Sequence, residues 1–214
     1  MSKKQELTFL LTDIDYKIQE QDDSPTIRLF GKRNGNQIKV LVRDFRPYFY
    51  ITKTSGLEAF ILGDPLINRW QRGREEAVGK RYFGGKQLPL LKLYGTHPEA
   101  VTTIRERFSQ AGFEIHEADI PFVKRFLIDL QIKCLNVITV QTFSIEEKGN
   151  NIIAAASYQD IFPTAPSVIS FADYFYKLKV MAFDIEVNHQ GAVSYTHLRA
   201  HETVLDLVCR LLLE

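Results

Sequence analysis

The sequence predicts an α+β fold, with an antiparallel sheet and intervening helices across roughly the first 130 of its 214 residues. Three observations carry that prediction. Asn34-Gly35 stands between two alternating runs, Thr26 to Lys32 and Gln37 to Arg43, and an Asn-Gly pair tolerates the positive φ that a tight hairpin needs. Val101, Ile104 and Phe108 recur at helical spacing, opened by Pro98 and closed by Gly112. Val180 to Val187 is a near-continuous apolar run, the pattern of a strand buried on both faces.

In chain order, Thr8 to Tyr16 begins apolar and ends alternating, a first strand; the hairpin follows, then a strand at Tyr48 to Thr52. Leu57 to Leu62 reads as a short helix stopped by Gly63-Asp64-Pro65. Between Arg69 and Arg81, the cations Arg72, Arg74 and Lys80 face only Glu75 and Glu76, which suits a solvated surface or a phosphate contact, and Gly84-Gly85 ends the stretch. Leu88 to Tyr94 is another apolar strand, and Thr96 or His97 caps the helix that Pro98 opens. Glu117 to Asp129 reads, on its residues alone, as a buried loop. Ile132 to Phe143 and Ile152 to Tyr158 form a second hairpin about a polar turn, Ser144 to Asn151. Pro163 to Ser167 is a loop, and Phe171 to Lys179 leads into the apolar run.

The bulk numbers exclude several classes. Hydrophobic residues make up 45% and charged residues 25%, as in a globular protein of one or two domains. Net charge is only +1, so any attraction to nucleic acid must come from a local patch. No apolar stretch approaches the roughly 20 residues of a membrane span, so no membrane partner is expected. Asp13 and Asp15 interrupt the first apolar run, and a cytoplasmic location is expected. Cys134 and Cys209 stand too far apart to suggest a disulfide or zinc framework.

Into the apolar run are set Asp184 and Glu186, two residues apart and therefore on the same face of a strand. Carboxylates in so apolar a setting need a cation to offset them, and an all-oxygen donor set favours a hard divalent ion such as Mg²⁺. Ordinary solvated acids are the competing reading. Val180-Met181-Ala182-Phe183-Asp184-Ile185-Glu186 resembles the first exonuclease motif of family B DNA polymerases. The resemblance implies that Asp184 and Glu186 are catalytic metal ligands, on the first strand of a ribonuclease-H-like 3′–5′ exonuclease domain that binds two Mg²⁺ ions.

Two further segments carry the same resemblance. Phe45-Arg46-Pro47-Tyr48-Phe49-Tyr50 is similar to an aromatic segment of archaeal family B polymerases, and Asp119-Ile120-Pro121-Phe122 with Arg125 is similar to another. On composition the first is either core packing or a stacking surface with cationic help from Arg43 and Arg46. By the resemblance, Tyr16, Pro47, Tyr48, Leu90, Ile120, Pro121, Phe122 and Arg125 line a pocket that captures uracil in the template strand. A slot too tight for a thymine methyl would separate the two bases by sterics. Leu90 departs from the smaller branched residue of that position.

Val193 to Thr203 resembles translated sequencing adaptor, since GTC TCT TAT ACA CAT CTC CGA GCC CAC GAG encodes Val193 through Glu202, and Leu207 to Leu213 matches the adaptor's far end. The segment is expected to be a helix or loose tail without function, so His197, His201 and Glu202 are not read as a metal site despite their spacing. The expected organisation is 1–130 as a template-binding, uracil-sensing domain, 131–192 as the start of a truncated exonuclease domain, and 193–214 as non-native tail. The implied parent is a replicative DNA polymerase with proofreading, cytoplasmic and nucleoid-associated, and the piece alone is expected to be inactive. Its implied partners are single-stranded template and primer-template DNA, with dNTPs and a sliding clamp met only through regions outside this chain. The alternative is a non-catalytic module that binds single-stranded nucleic acid by stacking.

Overall fold

The computed structural model describes residues 4–76, 81–83, 86–164, 180–187 and 196–203. Two compact units divide the chain, Met1–Ile169 and Ser170–Glu214. The first contains β1 (Gln5–Ile18), β2 (Pro25–Arg33), β3 (Asn36–Val42), β4 (Tyr48–Thr52), α1 (Leu57–Gly63), α2 (Pro65–Trp70), β5 (Gln71–Glu76), β6 (Arg81–Phe83), β7 (Lys86–Leu88), β8 (Leu90–Gly95), α3 (Pro98–Gln110), β9 (Ile115–His116), α4 (Phe122–Leu130), β10 (Val137–Lys148) and β11 (Asn151–Pro163). The second contains β12 (Val180–Val187) and β13 (Thr196–Thr203).

Five strands close into a barrel in the order β1-β10-β11-β3-β2. Every pairing in it is antiparallel except β3 with β11, which run parallel from Gln37↔Asn151 to Val42↔Ala156. The β2–β3 hairpin turns on Asn34 (φ 49°) and Gly35 (φ 82°), the left-handed conformations this pair was expected to supply. Alternate residues fill the interior: Phe9 and Leu11 of β1, Ile27 and Leu29 of β2, Val40 of β3 and Val140 of β10 are all fully buried. Gly31 is the close-approach point. A Cβ there would meet Phe9 Cδ2 at 2.2 Å and the Leu10 carbonyl at 2.4 Å, so only glycine lets β1 curve over β2.

Between β3 and β10 the chain leaves the barrel and builds a second sheet in the order β5-β8-β4-β9, covered by α1 to α3 around a separate core of Phe49, Ile51, Ile61, Ile67, Leu93 and Phe108. Gly63-Asp64-Pro65 ends α1 as expected, yet the same residues also start α2, which was not expected. The Asp64 carboxylate accepts from the N–H groups of Leu66 and Ile67, and Pro65 needs no partner at the first helical position. Asp64 also binds Arg107 of α3 at 2.8 Å and so ties the two helices together. His97 caps α3 by accepting from Ala100 N–H, and Gly112 (φ 79°) follows its end.

Several expectations are corrected. The stretch expected to be a loop, Glu117 to Asp129, becomes the helix α4 after Pro121, because Phe122, Arg125 and Phe126 recur on one buried face. The polar turn expected over Ser144 to Asn151 shrinks to Gly149-Asn150, since Ser144 to Lys148 pair in register with Ala155 to Asn151. Past residue 130, β10 and β11 close the barrel begun by β1 to β3. The helix or loose tail expected from residue 193 is, over Thr196–Thr203, a strand paired antiparallel with β12, from Val180↔Thr203 to Val187↔Thr196. An apolar strand with an open edge accepts such a partner through backbone hydrogen bonds whatever its origin. Lys80, Gly84-Gly85, Ser167 and Phe171 to Lys179 lie outside the described residues.

Candidate functional site

A cavity of about 330 Å³ opens where the barrel, the second sheet and two helices meet. Tyr16 of β1, Pro47 and Tyr48 at the start of β4, and Ile120, Pro121, Phe122 and Arg125 around the start of α4 all line it. Seven of the eight residues expected to form one pocket are thus neighbours. The eighth, Leu90, is corrected: it does not line the cavity but lies fully packed in the core cluster that also contains Tyr48 and Phe122.

The wall is held rigidly. Phe122 meets Tyr16 edge to face at 5.3 Å and stacks on Phe45 at 5.4 Å, contacts that fix two aromatic rings on either side of one. Arg125 is 4% exposed and donates to the Glu117 carboxylate at 2.5 Å and to the Glu117 carbonyl at 2.8 Å. That double bond to side chain and backbone holds Glu117 at φ 58°, a conformation that costs a non-glycine residue energy. Arg125 also lies 4.7 Å from the centre of the Tyr48 ring, whose other close cation, Lys92, is 3.9 Å away. The Tyr48 hydroxyl donates to Asp129 at 2.6 Å. Burial, reinforced by Asp129, holds this hydroxyl far above its ordinary pKa and therefore neutral. Burial would lower the pKa of Arg125, but the bond to Glu117 and the Tyr48 contact outweigh it and raise the value.

The cavity offers polar groups as well as rings. Arg125 Nε is buried and has no hydrogen-bond acceptor among the described residues. Opposite α4, the helix α3 contributes Pro98, Val101, Thr102 and Arg105. These four fall at i, i+3, i+4 and i+7, one helix face, so the spacing alone marks them as a common surface. No comparable signal marks Glu117 or Asp129, whose parts depend on a left-handed backbone angle and on a hydroxyl 81 residues away.

Asp184 and Glu186 stand two positions apart on β12 and so share a face, in register with Arg199 and His197 of β13. Their oxygen donors suit a hard divalent cation, but two carboxylates supply a minority of its usual six to eight ligands. Among the described residues, no group of three or more His, Cys, Asp or Glu side chains is arranged to hold a metal.

Residues 113–203 match the family model for the exonuclease domain of DNA polymerase family B. Full-length relatives follow the same line. The chain is 36% identical over 126 residues to the DNA polymerase of Thermococcus gorgonarius, covering 56% of this chain and 16% of the relative. It is 32% identical over 169 residues to the DNA polymerase of Thermococcus sp. (strain 9oN-7), covering 71% of this chain and 21% of the relative. The solved family B DNA polymerase from the hyperthermophilic archaeon Pyrobaculum calidifontis has a similar fold, with a TM-score of 0.58 at 22% identity over 93% of this chain and 27% of that one. The chain spans about a fifth or less of the length of the archaeal DNA polymerases it matches.

Proposed function

We propose that this chain is the amino-terminal part of a family B DNA polymerase that copies DNA and proofreads it by 3′–5′ hydrolysis, and that its cavity inspects single-stranded template for uracil. The observation that supports it is the convergence of Tyr16, Pro47, Tyr48, Ile120, Pro121, Phe122 and Arg125 on one slot of about 330 Å³. A pyrimidine base turned out of its stack needs flat apolar walls and a few polar groups at its hydrogen-bonding edge. Tyr16 and Phe122 supply the walls, and the Arg125 side chain lines the slot beside them. Rings locked against Phe45 and a loop clamped by Arg125 give little where a thymine methyl would press.

Exonuclease domains of this family work with metal ions, and Asp184 and Glu186 are the residues of this chain that would hold Mg²⁺. Bound there, the ion supplies electrostatic stabilisation to a phosphodiester under attack by water. The two carboxylates would position it from one strand face and leave its remaining ligands to other segments of the enzyme. Primer-template DNA, dNTPs and a sliding clamp would be met through those same segments, in the cytoplasm beside the nucleoid. By itself this chain performs neither reaction. A second reading, a stacking module for single-stranded nucleic acid without catalysis, draws on the same aromatic wall.

The test uses the protein expressed from its full-length gene. Primer extension on a template carrying one uracil is expected to stop a few nucleotides before it, and to run through the thymine control. Asp184→Ala is expected to abolish 3′ degradation while leaving extension intact. Read-through at uracil equal to the control rejects the sensing role, and a gene product without extension activity rejects the polymerase.

A further inference from the structure

We propose that Lys92 is a positioning residue for the base cavity: it braces the Tyr48 ring from the side away from the base, so that this wall does not yield to a thymine methyl. The proposal rests on the reading of the cavity given above and adds a residue that does not itself line it.

Tyr48 is a partition between two cavities. It lines the base cavity together with Arg125, and it also lines a second cavity of about 570 Å³ together with Lys92, Tyr94, Asp129 and Tyr158. Arg125 lines only the first and Lys92 only the second, so the two cations reach the ring from different sides. The Arg125 guanidinium lies 4.7 Å from the ring centre and the Lys92 ammonium 3.9 Å. A ring with open volume behind it has few contacts there to resist a push from the front. Among the described residues, Lys92 is the one whose charged group lies over Tyr48 from that volume.

The second sheet fixes Lys92 in place. On β8 it stands in register with Tyr50 of β4 and Glu75 of β5, while Tyr48 pairs with Tyr94 two positions further along. Lys92 is therefore diagonal to Tyr48 on one face of paired strands, within reach of a long side chain. Glu75 holds the ammonium at 3.5 Å and also accepts from the Tyr94 hydroxyl. Tyr94 meets Tyr48 in a T-shaped contact at 5.8 Å and lies 4.8 Å from the same ammonium, so one cation backs both rings. The Lys92 side chain is only 21% exposed, and the attraction of an ammonium for a ring grows as water is removed. Asp129 anchors the Tyr48 hydroxyl, the tip of the ring, and the two cations hold its body.

The experiment is a competition titration of the 214-residue chain and its variants between oligonucleotides that differ in one uracil for one thymine, with urea unfolding of each variant alongside. Lys92→Ala is expected to cut the uracil preference about three- to fivefold with an unchanged circular dichroism spectrum. Lys92→Arg, a cation that also stacks on rings, is expected to retain the preference. Glu75→Gln, which removes the ion pair and leaves the ammonium over the ring, is expected to retain it as well. If Lys92→Ala fails to fold, Lys92→Met, which keeps the stem without the charge, carries the test. A lower unfolding midpoint with an unchanged uracil-to-thymine ratio makes Lys92 merely structural and overturns the proposal. So does a loss in Glu75→Gln equal to that in Lys92→Ala, which would assign the effect to the ion pair. Equal binding of the two strands by the wild-type chain rejects the cavity reading itself, and this proposal with it, whereas a wild-type preference that survives in Lys92→Ala overturns this proposal alone.

Discussion

Tyr16, Tyr48 and Arg125 reach one cavity from segments spread over more than a hundred residues, whereas Asp184 and Glu186 stand two positions apart on a single strand. The cavity owes its shape to the fold: β1 brings Tyr16, the start of β4 brings Pro47 and Tyr48, and α4 brings Phe122 and Arg125. The acidic pair owes its geometry to the pleat of one strand and needs no fold to share a face. The cavity lies within one unit, and the acidic pair offers two carboxylates, fewer oxygens than a hard divalent cation takes. A site assembled from distant segments can be finished by a small domain, while one written locally can still depend on ligands that other segments must deliver.

The contrast can be broken most severely at Arg125. Arg125→Met removes the guanidinium that donates to the Glu117 carboxylate and carbonyl and frees the strained loop, and losing such charged hydrogen bonds costs about 1.5 to 3 kcal/mol. Urea unfolding should show that loss together with loss of base binding. No change in stability would mean that the loop is held by other contacts.

Asp64→Ala sharpens the comparison from the far side of the second sheet. Removing a cap that serves two N–H groups and the bond to Arg107 should cost about 1 to 2 kcal/mol, with base binding unchanged. Burial pushes the Asp64 pKa up, but the N–H groups of Ile67 and Leu66 and the Arg107 guanidinium prevail and hold it below its ordinary value. A lowered folded value stabilises above the unfolded pKa of about 4 and is lost as pH falls through the folded one, so acid unfolding should start at higher midpoint stability in wild type than in Asp64→Ala. Identical acid profiles would remove Asp64 from the account.

Smaller effects lie at the tyrosines. Tyr48→Phe keeps the ring and deletes the bond to Asp129, at about 1 kcal/mol, so it should lower stability without altering base discrimination. Tyr158 is pushed up to about 12, by burial first and then by Asp129. A raised folded value means that stability is full below the unfolded pKa of about 10 and drains between pH 10 and 12. Tyr158→Phe should blunt that alkaline loss in a thermal-melt series. An unaltered alkaline limb would show that this hydroxyl is not protected by the fold.

Much of the fold is legible where the cause is local. Asn34-Gly35 writes its own turn, and Val101, Ile104 and Phe108 write the buried stripe of α3. What stays hidden depends on contacts that no window contains. The parallel pairing of β3 with β11 joins residues more than a hundred positions apart, so a closed barrel could not be told from an open sheet. Asp64-Pro65 reads as a stop for α1, although the same pair, an N-cap carboxylate before a first-turn proline, also starts α2; only its bond to Arg107 lies beyond a local window. In the cavity, the matched motifs gather seven residues, and the α3 face could have been added from its spacing. Leu90 was misplaced because a strand residue near the pocket can point to the core instead, and sequence alone does not give the phase of that alternation.

The most direct measurement is a competition titration of the 214-residue chain between two oligonucleotides that differ only in one uracil for one thymine. A cavity with fixed aromatic walls predicts tighter binding of the uracil strand, with the preference lost in Tyr48→Ala and kept in Tyr48→Phe. Equal binding of the two strands by the folded wild-type chain would contradict it.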